Sequence, residues 1–100
     1  MTPNTVLKAL AEPRRMAILQ LLKNENGLSV TEIGKQIKVT QQAASLHLKV
    51  LQEAGLVEAR REGTRHLYAV RPEGFLPVQS FVAEFWGDRL EALKSDLEEE

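Results

Sequence analysis

The sequence predicts a mainly α-helical fold with one small β-hairpin (α+β), and three observations carry that expectation. Apolar residues recur at helical spacing through residues 6–54 and again through 78–97. Between these stretches the period switches to alternation, in two short runs around Glu62-Gly63. Start and stop signals punctuate the helical runs: Pro13, Ser29 with Glu32, Thr40 and Gly55.

Val6, Leu7 and Leu10 make a short apolar first helix that ends by Glu12-Pro13. Pro13 suits the first turn of a second helix, where its missing N–H has no partner to lose. That helix carries Met16, Leu19 and Leu22, with Ile18 and Leu21 widening the stripe, and reads as nearly all core. Lys23 to Gly27 is a polar stop ending in glycine. Ser29-Val30-Thr31-Glu32 is a capping box, with Val30, Ile33 and Ile37 forming the apolar stripe of a two-turn helix behind it.

After a very short connection, Thr40 can cap a helix that runs to Gly55. Ala44, Leu48 and Leu51 lie on one stripe of that helix and point inward. About half a turn away stand Gln42, Ser45, Leu46 and Lys49, with Gln41 and Gln52 at the margin. Amide, hydroxyl and small apolar side chains of this kind read base edges in a DNA major groove: Gln meets adenine, Ser several bases, and an apolar group the thymine methyl. A short capped helix, a three- to four-residue turn and a second helix with a polar outer face form a helix-turn-helix, here at about 29–54.

Leu56 to Arg61 and Thr64 to Val70 then read as two strands, with Gly63 supplying the positive φ of a tight turn. Arg60, Arg61 and Arg65 cluster at the tip beside His66. An arginine-tipped hairpin at about 56–70, following a helix-turn-helix, is a wing that meets the DNA backbone or minor groove. The expected DNA contacts are Thr40, Gln41, Gln42, Ser45, Leu46, His47 and Lys49 on the helix and Arg60, Arg61, Thr64 and Arg65 on the wing. Gln42 and Ser45 are assigned to bases, Arg60 and Arg65 to phosphates. His47 flanks the inward stripe, so it either contacts phosphate or packs in the core.

Arg71-Pro72 ends the hairpin, and Pro77 can start a last helix at about 75–97. Val78, Phe81, Val82, Phe85, Trp86, Leu90, Leu93 and Leu97 make it broadly apolar. Each such side chain left wet forgoes about 1.5–3 kcal/mol of burial. The expected remedy is a homodimer, built from Val6, Leu7 and Leu10 of the first helix and from this apolar set together with Arg89. Folding the last helix back over its own core is the alternative. The whole is thus expected to be a single domain, residues 1–100: a winged helix-turn-helix with N- and C-terminal dimerisation helices. Two-fold symmetry also suits the reading of a palindrome.

Charge supports the same reading. The net charge is −1, but residues 1–37, 38–71 and 72–100 carry +2, +3 and −6, so the acid is gathered at one end and the body is mildly basic. The 100 residues hold no cysteine, which excludes disulfides and thiolate metal sites. No signal segment or membrane-length apolar run is present, so the expected location is the cytoplasm.

The residues Leu10-Ala11-Glu12-Pro13-Arg14-Arg15, Ser29 to Ile33, Gln41 to Val57 and Arg60 to Gly63 with Tyr68 resemble the ArsR/SmtB family of bacterial repressors. The likeness spans roughly 5–97 and is most specific from Ser45 through Val57. It implies a homodimer that binds an operator in double-stranded DNA, represses transcription (of its own operon among the options) and is released by a small-molecule or protein inducer. The departures are informative. Metal sensors of the family use cysteines beside the recognition helix or Asp, His and Glu ligands on the last helix, and residues 75–100 contain no histidine. Glu84, Asp88 and Glu91 read as a solvated face, and His47 with His66 lack further soft ligands. No metal and no cofactor is therefore expected. Leu46 and Lys38 stand where the family favours a polar residue and a helix-ending glycine. Phe81, Phe85, Trp86 and Tyr68 are the aromatic residues available to line an apolar ligand pocket.

No nucleophile elbow, phosphate loop, zinc-protease pattern or paired-carboxylate signature supports an enzyme. The rival reading is a winged-helix module for protein–protein contact without DNA binding. It accounts for the apolar last helix but not for an outer helical face lacking large anchors, nor for the arginine tip.

Overall fold

A computed structural model describes residues 1–98, except for the side chain of Leu90. Helices α1 (Pro3–Leu10) and α2 (Pro13–Leu22) lead into α3 (Val30–Ile37) and α4 (Gln41–Glu53). The antiparallel hairpin β1 (Val57–Glu62) and β2 (Arg65–Val70) follows, then a 3-10 turn at Pro72–Phe75 and helices α5 (Leu76–Trp86) and α6 (Asp88–Glu98).

The ends of the elements are set by local hydrogen bonds. Thr2 caps α1, its hydroxyl accepting from the Thr5 N–H. Glu12 caps α2, taking the N–H groups of Arg14 at 2.7 Å and Arg15 at 3.1 Å. The Arg15 guanidinium turns back to donate to the Ala9 and Lys8 carbonyls, satisfying the open end of α1. The capping box forms as expected: Glu32 N–H donates to Ser29 Oγ at 3.2 Å and Ser29 N–H to Glu32 Oε1 at 3.0 Å. Gly63 adopts φ 65° at the first turn position, the arrangement of a two-residue II′ hairpin. A feature with no sequence signal is a third, one-residue strand: Leu28 and Tyr68 exchange backbone hydrogen bonds at 3.1 and 2.8 Å. It fastens the wing to the loop before α3.

The core is one cluster: Val6 and Ala9 of α1, Ile18, Leu19 and Leu22 of α2, Ile33 of α3, Ala44, Leu48 and Leu51 of α4, then Ala54, Leu56 and Val57. The inward stripe of α4 is as expected, all three residues at 0% exposure. Two expectations need correction. Met16 is half exposed rather than core, because it lines an open groove beside Leu10, Leu19, Val70 and Phe75. Val6, assigned to a subunit interface, is fully buried in its own protomer, where the inner side of α1 closes the core.

The last helix is also not continuous. Gly87 interrupts it with φ 50° and ψ −131°, values that glycine takes readily and L-residues do not. Nothing lies within 4 Å of a Cβ built there, so an added methyl meets no obstacle. Gly87→Ala is expected to join α5 and α6 into one helix, alanine being about 1 kcal/mol the better helix former. Far-UV circular dichroism measures it, as a gain in helical signal. No helix of the described residues is long and apolar enough to cross a membrane.

Candidate nucleic-acid interface

The helix-turn-helix depends on a close approach of α3 and α4. A Cβ on Gly34 would sit 3.2 Å from the Val39 carbonyl and 3.7 Å from Ala44 Cβ, so glycine lets the two helices meet there. Lys38 takes the left-handed conformation, φ 61° and ψ 47°, that ends α3, and its N–H donates to Gly34 O. The turn geometry normally supplied by glycine is therefore kept with a lysine in place, at a steric cost of about 1–2 kcal/mol. Thr40 then caps α4, its Oγ1 accepting from Ala43 N–H at 3.0 Å.

Because Ala44, Leu48 and Leu51 are locked inward, the opposite side of α4 is solvent-facing. Gln41, Gln42, Ser45, Leu46 and Lys49 are all exposed, Leu46 at 63%. An apolar side chain that open on a polar face is what a thymine methyl would meet. His47 sits between the two possibilities left by the sequence: it is half-buried, yet it lines an open groove of about 590 Å³ with Arg14, Lys38, Val39, Thr40 and Ala43. Arg14 and Lys38 add two basic groups at this helix start beyond the contacts expected from sequence. The signals were present, an arginine pair after Pro13 and a lysine at a glycine position.

Glu12 sits at the same end of the molecule. Burial raises its pKa, but the N–H groups of Arg15 and Arg14 and the nearby positive charges of His47 and Arg14 outweigh that and leave it below the usual glutamate value. Its contribution to stability is therefore fully present above about pH 4.3 and is lost as pH falls through the lower, folded-state value. Glu12→Gln is expected to melt below the parent at pH 7, with the difference closing at pH 3 in paired thermal melts.

The wing divides its arginines between two faces. In the hairpin register Arg61 lies opposite His66, and Glu62 opposite Arg65. Arg60 and Arg65 share the other face, and both meet acids: Arg60 lies 3.7 Å from Glu62, and Arg65 pairs with Glu32 at the start of α3. Glu32 is held below the usual glutamate pKa, first by the Ser29 N–H and hydroxyl and then by Arg65. Arg61 forms no ion pair among the described residues, and Thr64 is exposed at the turn.

The α5–α6 arm is the other exposed feature. No residue of α5 is buried. Phe81, Val82, Phe85 and Trp86 are 40%, 45%, 75% and 44% exposed, and on α6 Leu93 and Leu97 are 49% and 68% exposed. Phe81 and Phe85 meet edge to face with centroids 5.1 Å apart. Leu7 on α1 is exposed as well, whereas Leu10 and Val78 are half-buried against their own core. Arg89 is exposed, and the Leu90 side chain lies outside the described residues. The four aromatics proposed as pocket walls are not gathered: Tyr68 packs on the core, while Phe81, Phe85 and Trp86 lie along the arm. A separate apolar groove of about 400 Å³ runs between Leu10, Met16, Leu19, Val70 and Phe75. Among the described residues no three His, Cys, Asp or Glu side chains gather as a metal site.

Comparison with known proteins agrees with this geometry. Residues 10–60 match a family model described as a helix-turn-helix domain. The HTH-type transcriptional regulator Rv2034 of Mycobacterium tuberculosis is 36% identical over 85 residues, covering 85% of this chain and 78% of that protein. Among solved structures, an ArsR-like transcriptional regulator from Rhodococcus superposes with a TM-score of 0.72 at 27% identity, covering 93% of this chain and 90% of that one. The homodimeric winged helix-turn-helix DNA-binding domain of a possible ArsR-family regulator from Mycobacterium bovis gives a TM-score of 0.67 at 36% identity, covering 84% and 79%. With a capped α3–α4 pair, an arginine-tipped hairpin and these relatives, the chain belongs to the ArsR/SmtB-type winged helix-turn-helix family of DNA-binding transcriptional regulators.

Proposed function

We propose that two copies of this chain bind a palindromic operator and repress transcription, without sensing metal. The observation that carries this reading is the exposed outer face of α4. Its Gln42, Ser45 and Leu46 are free to enter a major groove while Leu48 and Leu51 hold the helix to the core. In this reading Gln42 and Ser45 hydrogen-bond base edges and Leu46 meets a thymine methyl. Thr40, Gln41, His47 and Lys49, joined by Arg14 and Lys38 at the start of α4, flank the phosphate backbone. Arg60, Arg61, Thr64 and Arg65 bring the wing to the backbone or minor groove.

The homodimeric relative supports pairing, and the exposed apolar arm supplies a surface for it. In the dimer Leu7, Phe81, Val82, Phe85, Trp86, Leu93 and Leu97 lose their solvent, with Leu10 and Val78 at the margin. The absence of cysteine removes the thiolate ligands on which many metal sensors of the family depend.

Electrophoretic shift with the DNA upstream of the protein's own gene tests the reading, with light scattering for assembly and a promoter reporter for the sign of regulation. A sequence-specific shift by a dimer, lowered reporter output, and an affinity unchanged by zinc, copper, cadmium or arsenite are expected. A tenfold loss of affinity with stoichiometric zinc, reversed by a chelator, overturns the metal-free reading. Absence of any shift favours a protein-binding module instead.

A further inference from the structure

We propose that Glu32 tempers the DNA affinity of the wing: its carboxylate competes with DNA phosphates for the Arg65 guanidinium and so holds down binding to operator and random DNA alike. The proposal rests on the reading above that the wing approaches the DNA backbone. Glu32 and Arg65 are 33 residues apart in sequence, yet Arg65 Nη2 donates to Glu32 Oε1. Their side chains are 46% and 57% exposed, so the pair stands at the surface where a phosphate can reach it. The carboxylate is not free to swing away. The same Oε1 accepts the Ser29 N–H at 3.0 Å, so the capping box pins the acid in place. A pinned carboxylate beside a wing arginine offers that guanidinium the same chemistry as a phosphate oxygen.

An exposed ion pair of this kind holds weakly, so an array of phosphates can displace it. Until it is displaced, however, the wing presents one positive charge fewer. Binding to random DNA comes almost wholly from cations meeting phosphates, whereas operator binding also draws on base contacts. Withholding one cation weakens both by the same factor, because the phosphate contact is common to the two complexes. Arg60 faces Glu62 in a looser version of the same arrangement, at 3.7 Å.

Glu32→Gln tests this in the full chain, because glutamine also serves at this position of a capping box and retains an acceptor for Ser29 N–H. The probes are a random duplex and the upstream DNA, each titrated across a salt series, with circular dichroism to verify helix content. The variant is expected to bind random duplex several-fold more tightly, with a log–log salt slope steeper by at most about 0.9, the value for one full phosphate contact on B-DNA. The upstream DNA should gain by the same factor, leaving the ratio of upstream to random affinity unchanged. Arg65→Ala, alone and combined with Glu32→Gln, completes a double-mutant cycle. Loss of the whole gain in the combined variant is expected. An equal gain with and without Arg65 overturns the proposal, since loss of a negative charge alone would then explain it. No gain from Glu32→Gln, while Arg65→Ala weakens binding in both backgrounds, also overturns it but leaves the phosphate role of Arg65 standing. If Arg65→Ala changes nothing in either background, that role falls, and the proposal with it.

Discussion

Replacing both Phe85 and Leu93 by glutamate is expected to yield a folded monomer that no longer holds the operator. The two side chains are 75% and 49% exposed in the isolated protomer, so neither substitution inserts a charge into its core. Within a subunit seam, by contrast, two unpaired carboxylates per protomer would be desolvated without partners, at several kcal/mol each. The fold should thus survive while the assembly does not. A single protomer reaches one half-site, and loss of the second linked contact lowers operator affinity by about 10²–10⁴-fold. Light scattering, circular dichroism and a titration on operator DNA check the three parts together. A variant that remains dimeric and binds as before would place the interface elsewhere. Val6→Glu supplies the contrast, since Val6 is wholly buried and the charge should unfold the protomer.

Gln42→Ala and Ser45→Ala are expected to erode the preference for operator over random DNA while barely altering the fold. Both side chains point to solvent from the outer face of α4, so truncation leaves no cavity. A good bidentate base contact discriminates by about 1–3 kcal/mol, or roughly five- to 150-fold in the affinity ratio. The expected change lies in operator affinity, with random affinity and salt slope unaltered, because neither residue contributes a charge. Arg61→Ala should behave in the opposite manner, lowering both affinities and flattening the slope by about 0.9. Titrations of each variant on both DNAs separate the roles. If Gln42→Ala and Ser45→Ala weaken the two DNAs equally, α4 is not reading bases.

Much of the architecture was legible because the signals that specify it act over a few residues. The Ser29–Glu32 capping box, the Thr40 cap, the inward stripe Ala44, Leu48 and Leu51, and the turn at Gly63 each depend on spacings that a linear sequence displays directly. The exposed polar face of α4 follows from the same arithmetic, since locking one stripe inward leaves the opposite one outside.

Tertiary structure decided what depends on partners distant in the chain. Val6 and Phe85 are both apolar residues on helical stripes, yet packing buries one completely and leaves the other 75% exposed, and nothing in their local spacing tells them apart. Met16 lies on a stripe that continues the core pattern but finds no neighbours to cover it. The strand exchange between Leu28 and Tyr68 and the pairing of Arg65 with Glu32 join segments dozens of residues apart, through contacts that no period encodes. A lone glycine costs a helix only about 1 kcal/mol, so the spacing of the last helix does not reveal the break that the missing Cβ of Gly87 permits. The chain alone therefore determined the helix-turn-helix and its exposed polar face. The folded molecule determined which arginines of the wing are engaged and which apolar surface stays exposed, because charge pairing and burial belong to three-dimensional neighbourhoods.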